Sequence, residues 1–296
     1  MSIKPILKFG LLVILAVMLS MTTVIFGALP MRALRRVYGR WPFWVAFASV
    51  SAGVMAWISP SYGLLVLSLA VGVGAYAEIE DHGLSVFVSG FVASLAAIGT
   101  TILGVGAWIH FTKVALVDSV RRHLEPLVDK LVAMNGGSSI SVEAVMQQLP
   151  SGIIIGLIAA LAIALIGESW ALRWIGEEEK ARVPQSQLSS FRVPDLFIWL
   201  TIVSIFGAFF QHGIKWVETI SLNALNVLVV IFFFQGLAVV SHAFRVYRVS
   251  PFWQGLWYII FVIQLFLVVS FVGFVDYWIE FRERLSRKPA ETKKGI

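Results

Sequence analysis

The chain contains no cysteine. That excludes disulfides, thiol nucleophiles and Cys-ligated metals. Charge is scarce as well. Asp, Glu, Lys and Arg make up 14% of the 296 residues, against about 25% in soluble domains. Histidines stand at 82, 110, 123, 212 and 242, and none pairs at the i, i+4 spacing of a helical metal site. There is no G-x-x-x-x-G-K-[ST] loop, so the chain has no nucleotide-driven motor of its own. H-E-x-x-H and G-x-S-x-G are also missing, which removes the zincin and hydrolase signatures. The expectation is a protein that is not an enzyme, with no catalytic residues, cofactor or metal.

What the chain has in quantity is apolar sequence: 58% hydrophobic residues and a mean hydropathy of +0.86. No soluble fold of this length hides so much apolar surface, so the solvent is lipid. A helical crossing of about 30 Å of hydrocarbon needs about 20 residues. Eight stretches qualify, at roughly 9–30, 42–59, 62–77, 84–112, 151–172, 195–213, 222–244 and 252–276. In lipid each backbone polar group must find its partner within its own segment, so these are helices. The ten-residue alternation of an outer-membrane barrel is absent. The predicted fold class is therefore all-α: a polytopic integral membrane helix bundle of about eight spans, with residues 1–296 as a single membrane domain. The first apolar stretch is too long for a cleaved signal and has no A-x-A-like site after it, so it reads as a retained helix.

The net charge of +6 sits in short loops and tails beside the spans. That pattern suits anionic lipid head groups and topology selection rather than nucleic acid. With eight spans, however, the 23 Lys and Arg residues divide almost evenly between the two sides. The cluster Arg32, Arg35, Arg36, Arg40 falls on the side opposite to the N-terminus, against the positive-inside tendency. Either one span is re-entrant or the count is off by one. The basic tail, residues 285–296, argues for a cytoplasmic C-terminus.

Residues 113–149 form a polar excursion between spans four and five. Val117, Val120, Leu124, Leu127, Val128 and Leu131 recur at helical steps, with Asp118, Arg121, Arg122, Glu125 and Asp129 between them. This is an amphipathic helix, with Pro126 inside it and Asn135-Gly136-Gly137 to end it. A second short helix is expected after Ser141 as N-cap, with Ile140 and Val145 as its staple, meeting the fifth span at Pro150. At the other end, LFLVVSFVGFVDYWIEFRER (265–284) turns from apolar to charged. Tyr277 and Trp278 read as interfacial anchors. The spacings Glu280/Arg284 and Glu283/Arg287 predict that the helix continues past Asp276.

A charge at mid-bilayer is costly, so an intramembrane ionisable residue is a candidate for function. Glu168 is the nearest case. Behind it at four-residue steps lie Ala164, Ala160, Gly156 and Gly152, a small-residue stripe for close helix packing. Glu168 reads either as a helix-end carboxylate paired with Arg173 or another loop base, or as a contact to substrate or partner. Neutral polar residues supply the other candidates. Gln235, Gln264 and Asn226 either hydrogen-bond between helices or line a small-molecule pocket. Gln211 and His212 end the sixth span. The acidic run Glu78, Glu80, Asp81, His82 reads as a solvated loop more readily than as a weak cation site.

LNVLVVIFFFQGLAVVSHAFRVYRVSPFW (225–253), GFVDYWIEFRER (273–284) and QQLPSGIIIG (147–156) together resemble the YybS-like family. This is a domain-of-unknown-function family of bacterial multi-spanning membrane proteins. The pattern is a QGLA turn within an apolar helix, a short basic loop, another apolar helix and a G-x-x-D-x-W-x-x-F-R ending. The resemblance implies a bacterial inner-membrane location and about eight spans, with no catalytic residues to transfer. Two roles are open: transport-related binding of a small molecule within the bundle, or a scaffold binding other membrane proteins. The first calls for a separate energising subunit or a passive mechanism.

Overall fold

The computed structural model describes residues 5–113, 115–134, 141–181, 189, 191–210 and 213–291, and every regular element there is a helix. The turn at 135–137, Ile140, Gln211 and His212 lie outside the described residues, as does the side chain of Arg287. By its internal contacts the chain divides into two compact units, residues 1–183 and 184–296.

The first unit contains α1 (Pro5–Thr23), α2 (Ala28–Tyr38), α3 (Arg40–Trp57), α4 (Pro60–Asp81), α5 (Val86–Thr112), α6 (Leu116–Met134) and α7 (Val142–Trp174). A single 3-10 turn follows at Glu178–Lys180. Helix starts carry the expected caps. Ser85 Oγ accepts from Val88 N–H at 3.3 Å and Ser141 Oγ from Ala144 N–H at 3.1 Å, each satisfying an orphan donor of a first turn. Pro150 does not divide α7. The helix runs through it for 33 residues, so the short second helix and the fifth span are one element.

Helix α2 is absent from the eight-span reading, and it changes the topology. It is 11 residues long, about 16 Å at 1.5 Å per residue, too short to cross. It folds straight back on α1. At Gly27 an added Cβ would stand 2.0 Å from Ser20 Oγ, so the close return requires glycine. The return brings Tyr38 to the start of α1, where its hydroxyl donates to the Pro5 carbonyl at 2.7 Å. Residues 32–40 therefore lie at the same end of the unit as the N-terminal helix start. The eight-span reading put them at the opposite end, and that expectation is corrected. The helices then run back and forth through α5. Helix α6 follows at the far end, and α7 returns so that Lys8 Nζ donates to the Ile175 carbonyl at 2.8 Å.

The second unit contains α8 (Leu196–Phe209), α9 (Lys215–Val246), α10 (Pro251–Ile263), α11 (Phe266–Ile279) and α12 (Phe281–Glu291). Helices α9 and α11 meet backbone to backbone. A Cβ on Gly236 would lie 2.0 Å from the Val269 carbonyl oxygen, and one on Gly273 2.0 Å from that of Phe232. The helix continues past Asp276 as expected, but only to Ile279, and it breaks there for one residue. Glu280 takes the left-handed conformation at φ +51°, ending α11, and α12 starts anew. Glu280 thus stands at the start of α12, where its carbonyl accepts from Arg284 N–H at 3.2 Å.

Among the described residues, five helices are long and apolar enough to cross a membrane: α1, α4, α5, α7 and α9. The pair α10 and α11 would supply a sixth, but it is bent by 98° at Gln264–Leu265. Helix α8 has only 14 residues. Helix α3 carries Arg40 and three tryptophans within its 18 residues and is not among those five. The all-α membrane bundle stands, and among the described residues five helices, or six with the bent pair, have the length and apolarity to cross.

Candidate functional site

At the end of the first unit where α2, α4 and α7 finish, four arginines meet four carboxylates. Arg32, Arg35 and Arg36 stand three and four residues apart, so α2 presents them on adjoining faces. Arg32 Nε donates to Glu168 Oε2 at 2.8 Å, and its Nη2 to both Glu80 oxygens at 3.0 and 2.8 Å. Arg36 Nε donates to Glu168 Oε1 at 3.2 Å, and its Nη2 also reaches Glu80. Arg35 Nη2 joins Glu78 at 3.1 Å and Asp81 at 3.4 Å, and Arg40 lies 3.4 Å from Glu78. Trp44 Nε1 donates to Glu78 at 3.3 Å.

Burial is deepest at the centre. Arg32 is wholly enclosed and Glu168 is 1% exposed. Carboxylates at helix C-termini oppose the negative end of the macrodipole, and Glu78, Glu80 and Asp81 close α4 in that position. The arginines of α2 offset both the carboxylates and the dipoles. The Arg32 guanidinium also lies 5.0 Å from the Tyr76 ring centroid, within cation–π range. Its Nη1 has no hydrogen-bond partner among the described residues. Nearby, outside the spans, Glu177 pairs with Lys180 at 3.0 Å and Lys8 at 3.7 Å. The hydrogen bond from Lys180 holds its carboxyl below the usual range.

The second unit contains a different polar knot, and it explains the QGLA and G-x-x-D-x-W-x-x-F-R patterns in physical terms. Gln235 Oε1 accepts from Val193 N–H at 2.9 Å, and its Nε2 donates to the Gly273 carbonyl at 3.0 Å and reaches Asp276 Oδ2 at 3.5 Å. Asp276 is buried. Its Oδ1 accepts from Phe281 N–H at 3.1 Å, capping α12, and its Oδ2 accepts from Arg282 Nη2 at 2.8 Å. Arg282 Nη1 in turn donates to the Phe191 carbonyl at 3.1 Å. Gly236 and Gly273 permit the helix approach that brings these groups together. Trp278 packs on Phe274 at 5.1 Å between ring centroids.

Above this knot lies an open cleft of about 590 Å³, lined by Ser189, Arg192, His242, Arg245, Asp276, Glu280, Arg282, Glu283 and Ser286. His242 Nε2 and Ser286 Oγ are 3.0 Å apart, and Arg245 Nη2 donates to Ser189 Oγ.

The residues singled out in the sequence are distributed as follows. Glu168 is the core of the arginine network. Arg173 instead faces Glu178 at 3.3 Å, so the base that holds Glu168 comes from α2. Ala160 and Ala164 are buried, whereas a Cβ at Gly152 or Gly156 would meet nothing within 4 Å. Four-residue steps drift around a 3.6-residue helix, and only the later members of the stripe reach the packed side. Gln235 is tied into its knot. Gln264 is exposed at the α10–α11 break, and Asn226 is half-buried in α9. Neither cavity described in the two units is lined by Gln235, Gln264 or Asn226. The cleft residues His242, Arg245 and Glu280 were not singled out as a ligand set, because the walls come from segments far apart in sequence. Gln235→Leu is expected to cost about 1–3 kcal/mol by stranding the Val193 N–H. Gln264→Leu is expected to cost under about 0.5 kcal/mol, as at other exposed positions. Thermal unfolding in detergent checks this, and equal losses would contradict it.

Apolar helices of crossing length, with ionic groups gathered at helix ends, define a polytopic α-helical membrane protein. The model of the family described as "predicted membrane protein (DUF2232)" matches residues 6–277, so the chain belongs to that family, in keeping with its YybS-like motifs. No curated protein matches the chain, and no solved structure matches it.

Proposed function

We propose that this chain is a non-enzymatic protein of the bacterial inner membrane that binds a small charged solute in the second unit, in a transport-related role. The observation that supports this reading is the cleft of about 590 Å³ over the Gln235–Asp276–Arg282 knot. Ligand sites are concave, of about 300–1,000 Å³, with a few placed polar groups. A floor of hydrogen-bonded, buried groups holds those groups in position without a ligand. The site lies at the end of α9 rather than at mid-bilayer. With no nucleotide motif, energy would come from a partner subunit or from the solute gradient. The return of α2 sets Arg32–Arg40 beside the N-terminal helix start. Under the positive-inside rule that end is cytoplasmic, and the basic C-terminal tail favours the same side for the C-terminus.

A scaffold role is the second reading. Gly152 and Gly156 favour it, since their small-residue face is open in this chain and can receive a helix from another protein. Native mass spectrometry of the detergent-purified chain separates the two. The expected result is a retained small molecule that is lost in Arg245→Gln. A stoichiometric membrane-protein partner with no retained solute would favour the scaffold.

A further inference from the structure

The cleft of the second unit presents both signs of charge. Helix α9 contributes His242 and Arg245, three residues apart and so on one face. The segment before α8 contributes Ser189 and Arg192, and Arg192 has no hydrogen-bond or ionic partner among the described residues. Glu280, Glu283 and Ser286 line the cleft from the α11–α12 junction and α12. Asp276 and Arg282 are engaged with each other in the floor. The groups that face the cleft above that floor are therefore guanidinium, imidazole and hydroxyl donors together with carboxylates.

Depth adds a second constraint. Between Asn226 and His242 the only polar side chains of α9 are those of Gln235 and Ser241. That stretch rises about 24 Å at 1.5 Å per residue, close to the hydrocarbon thickness of about 30 Å. His242 and Arg245 thus mark the level where head groups begin, as do Tyr247, Tyr277 and Trp278 by their type.

Guanidinium groups with nearby hydroxyls suit a phosphate, which takes several charge-assisted bonds at once. The two glutamates disfavour a phosphate monoester, which carries about two negative charges near neutral pH. A diester carries only one, and an attached ammonium would meet the glutamates. We propose that the cleft takes a zwitterionic phosphodiester, with its phosphate on Arg192, Arg245 and His242 and its ammonium on Glu280 and Glu283. The inference rests on the reading of the cleft as a ligand site. The same chemistry is offered by a phospholipid head group and by its free glycerol ester.

The test is binding to the purified full-length chain in maltoside micelles, read by calorimetry. Four soluble probes are compared: glycerophosphoethanolamine, glycerophosphate, ethanolamine and glycine. In parallel, native mass spectrometry follows lipid retention from nanodiscs of phosphatidylglycerol with and without phosphatidylethanolamine. Glycerophosphoethanolamine is expected to bind at least about tenfold more tightly than the other soluble probes, with Arg245→Gln and Glu280→Gln each weakening it about tenfold. Arg284→Gln, outside the cleft, is expected to leave binding unchanged, and unfolding temperatures of all three variants confirm that they are folded. Binding of the soluble ester supports a free ligand, whereas retention of phosphatidylethanolamine alone supports the lipid source. Tighter binding of glycerophosphate or glycine, or indifference to Glu280→Gln, overturns the zwitterion and leaves the solute-binding reading intact. No binding by any probe, no selective lipid retention and no co-purified small molecule overturn both.

Discussion

Glu168→Ala is expected to lower unfolding stability by about 3–5 kcal/mol, the scale for removing one partner from a buried ion pair. The reason lies in what remains. Arg32 is wholly enclosed, and Glu168 satisfies its Nε as well as that of Arg36. Without Glu168 the first unit retains two guanidinium groups that share Glu80. Arg173→Ala provides the contrast, at under about 0.5 kcal/mol, because its pair with Glu178 is mostly exposed. Replacing Glu168 by Leu together with Arg32 by Met is expected to recover part of the loss, since apolar replacement of a whole buried pair is often neutral. Thermal unfolding in one detergent compares all three. A Glu168→Ala loss no larger than that of Arg173→Ala would remove the network from the account of stability.

Gly273→Ala is expected to cost at least about 3 kcal/mol. Its Cβ would lie 2.0 Å from the Phe232 carbonyl oxygen and 2.6 Å from Gly236 N. Both are backbone atoms of α9, so neither can turn aside as a side chain would. Separating α9 from α11 to make room also lengthens the bond from Gln235 to the Gly273 carbonyl, now 3.0 Å. Gly152→Ala is expected to act in the opposite direction, gaining about 0.5–1 kcal/mol, because it removes backbone freedom where space is open. Equal yield and melting temperature for the two variants would contradict the close crossing.

The membrane class was legible because it depends on apolar length alone. Four of the expected spans reappear within α4, α5, α7 and α9, and the amphipathic excursion reappears as α6. Ser141 caps α7 as its position predicted. What the sequence hid is α2. Its 11 residues are too few to register as a span, and its arginines made it resemble a loop. A signal was present, since Arg32, Arg35 and Arg36 repeat at helical steps and Glu78, Glu80, Asp81 and Glu168 supply matching charge. Those acids lie about 45 and 130 residues away, however, and pairing at that distance is set by tertiary packing. The nearly even split of Lys and Arg in the eight-span reading was itself the trace of the missing helix. Gln235 and Asp276 were visible as polar residues in apolar helices. Their joining needed the two glycine contacts, which local periodicity does not report.

The central claim is that α2 returns residues 32–40 to the end of the bundle where the chain begins. The absence of native cysteine allows it to be tested without background. Single cysteines at Ile6, Arg40, His82 and Ser59 can be labelled with a membrane-impermeant maleimide in sealed vesicles of known orientation. The account predicts that Ile6→Cys, Arg40→Cys and His82→Cys label from one side and Ser59→Cys from the other. Labelling of Arg40→Cys from the side opposite to Ile6→Cys would contradict it.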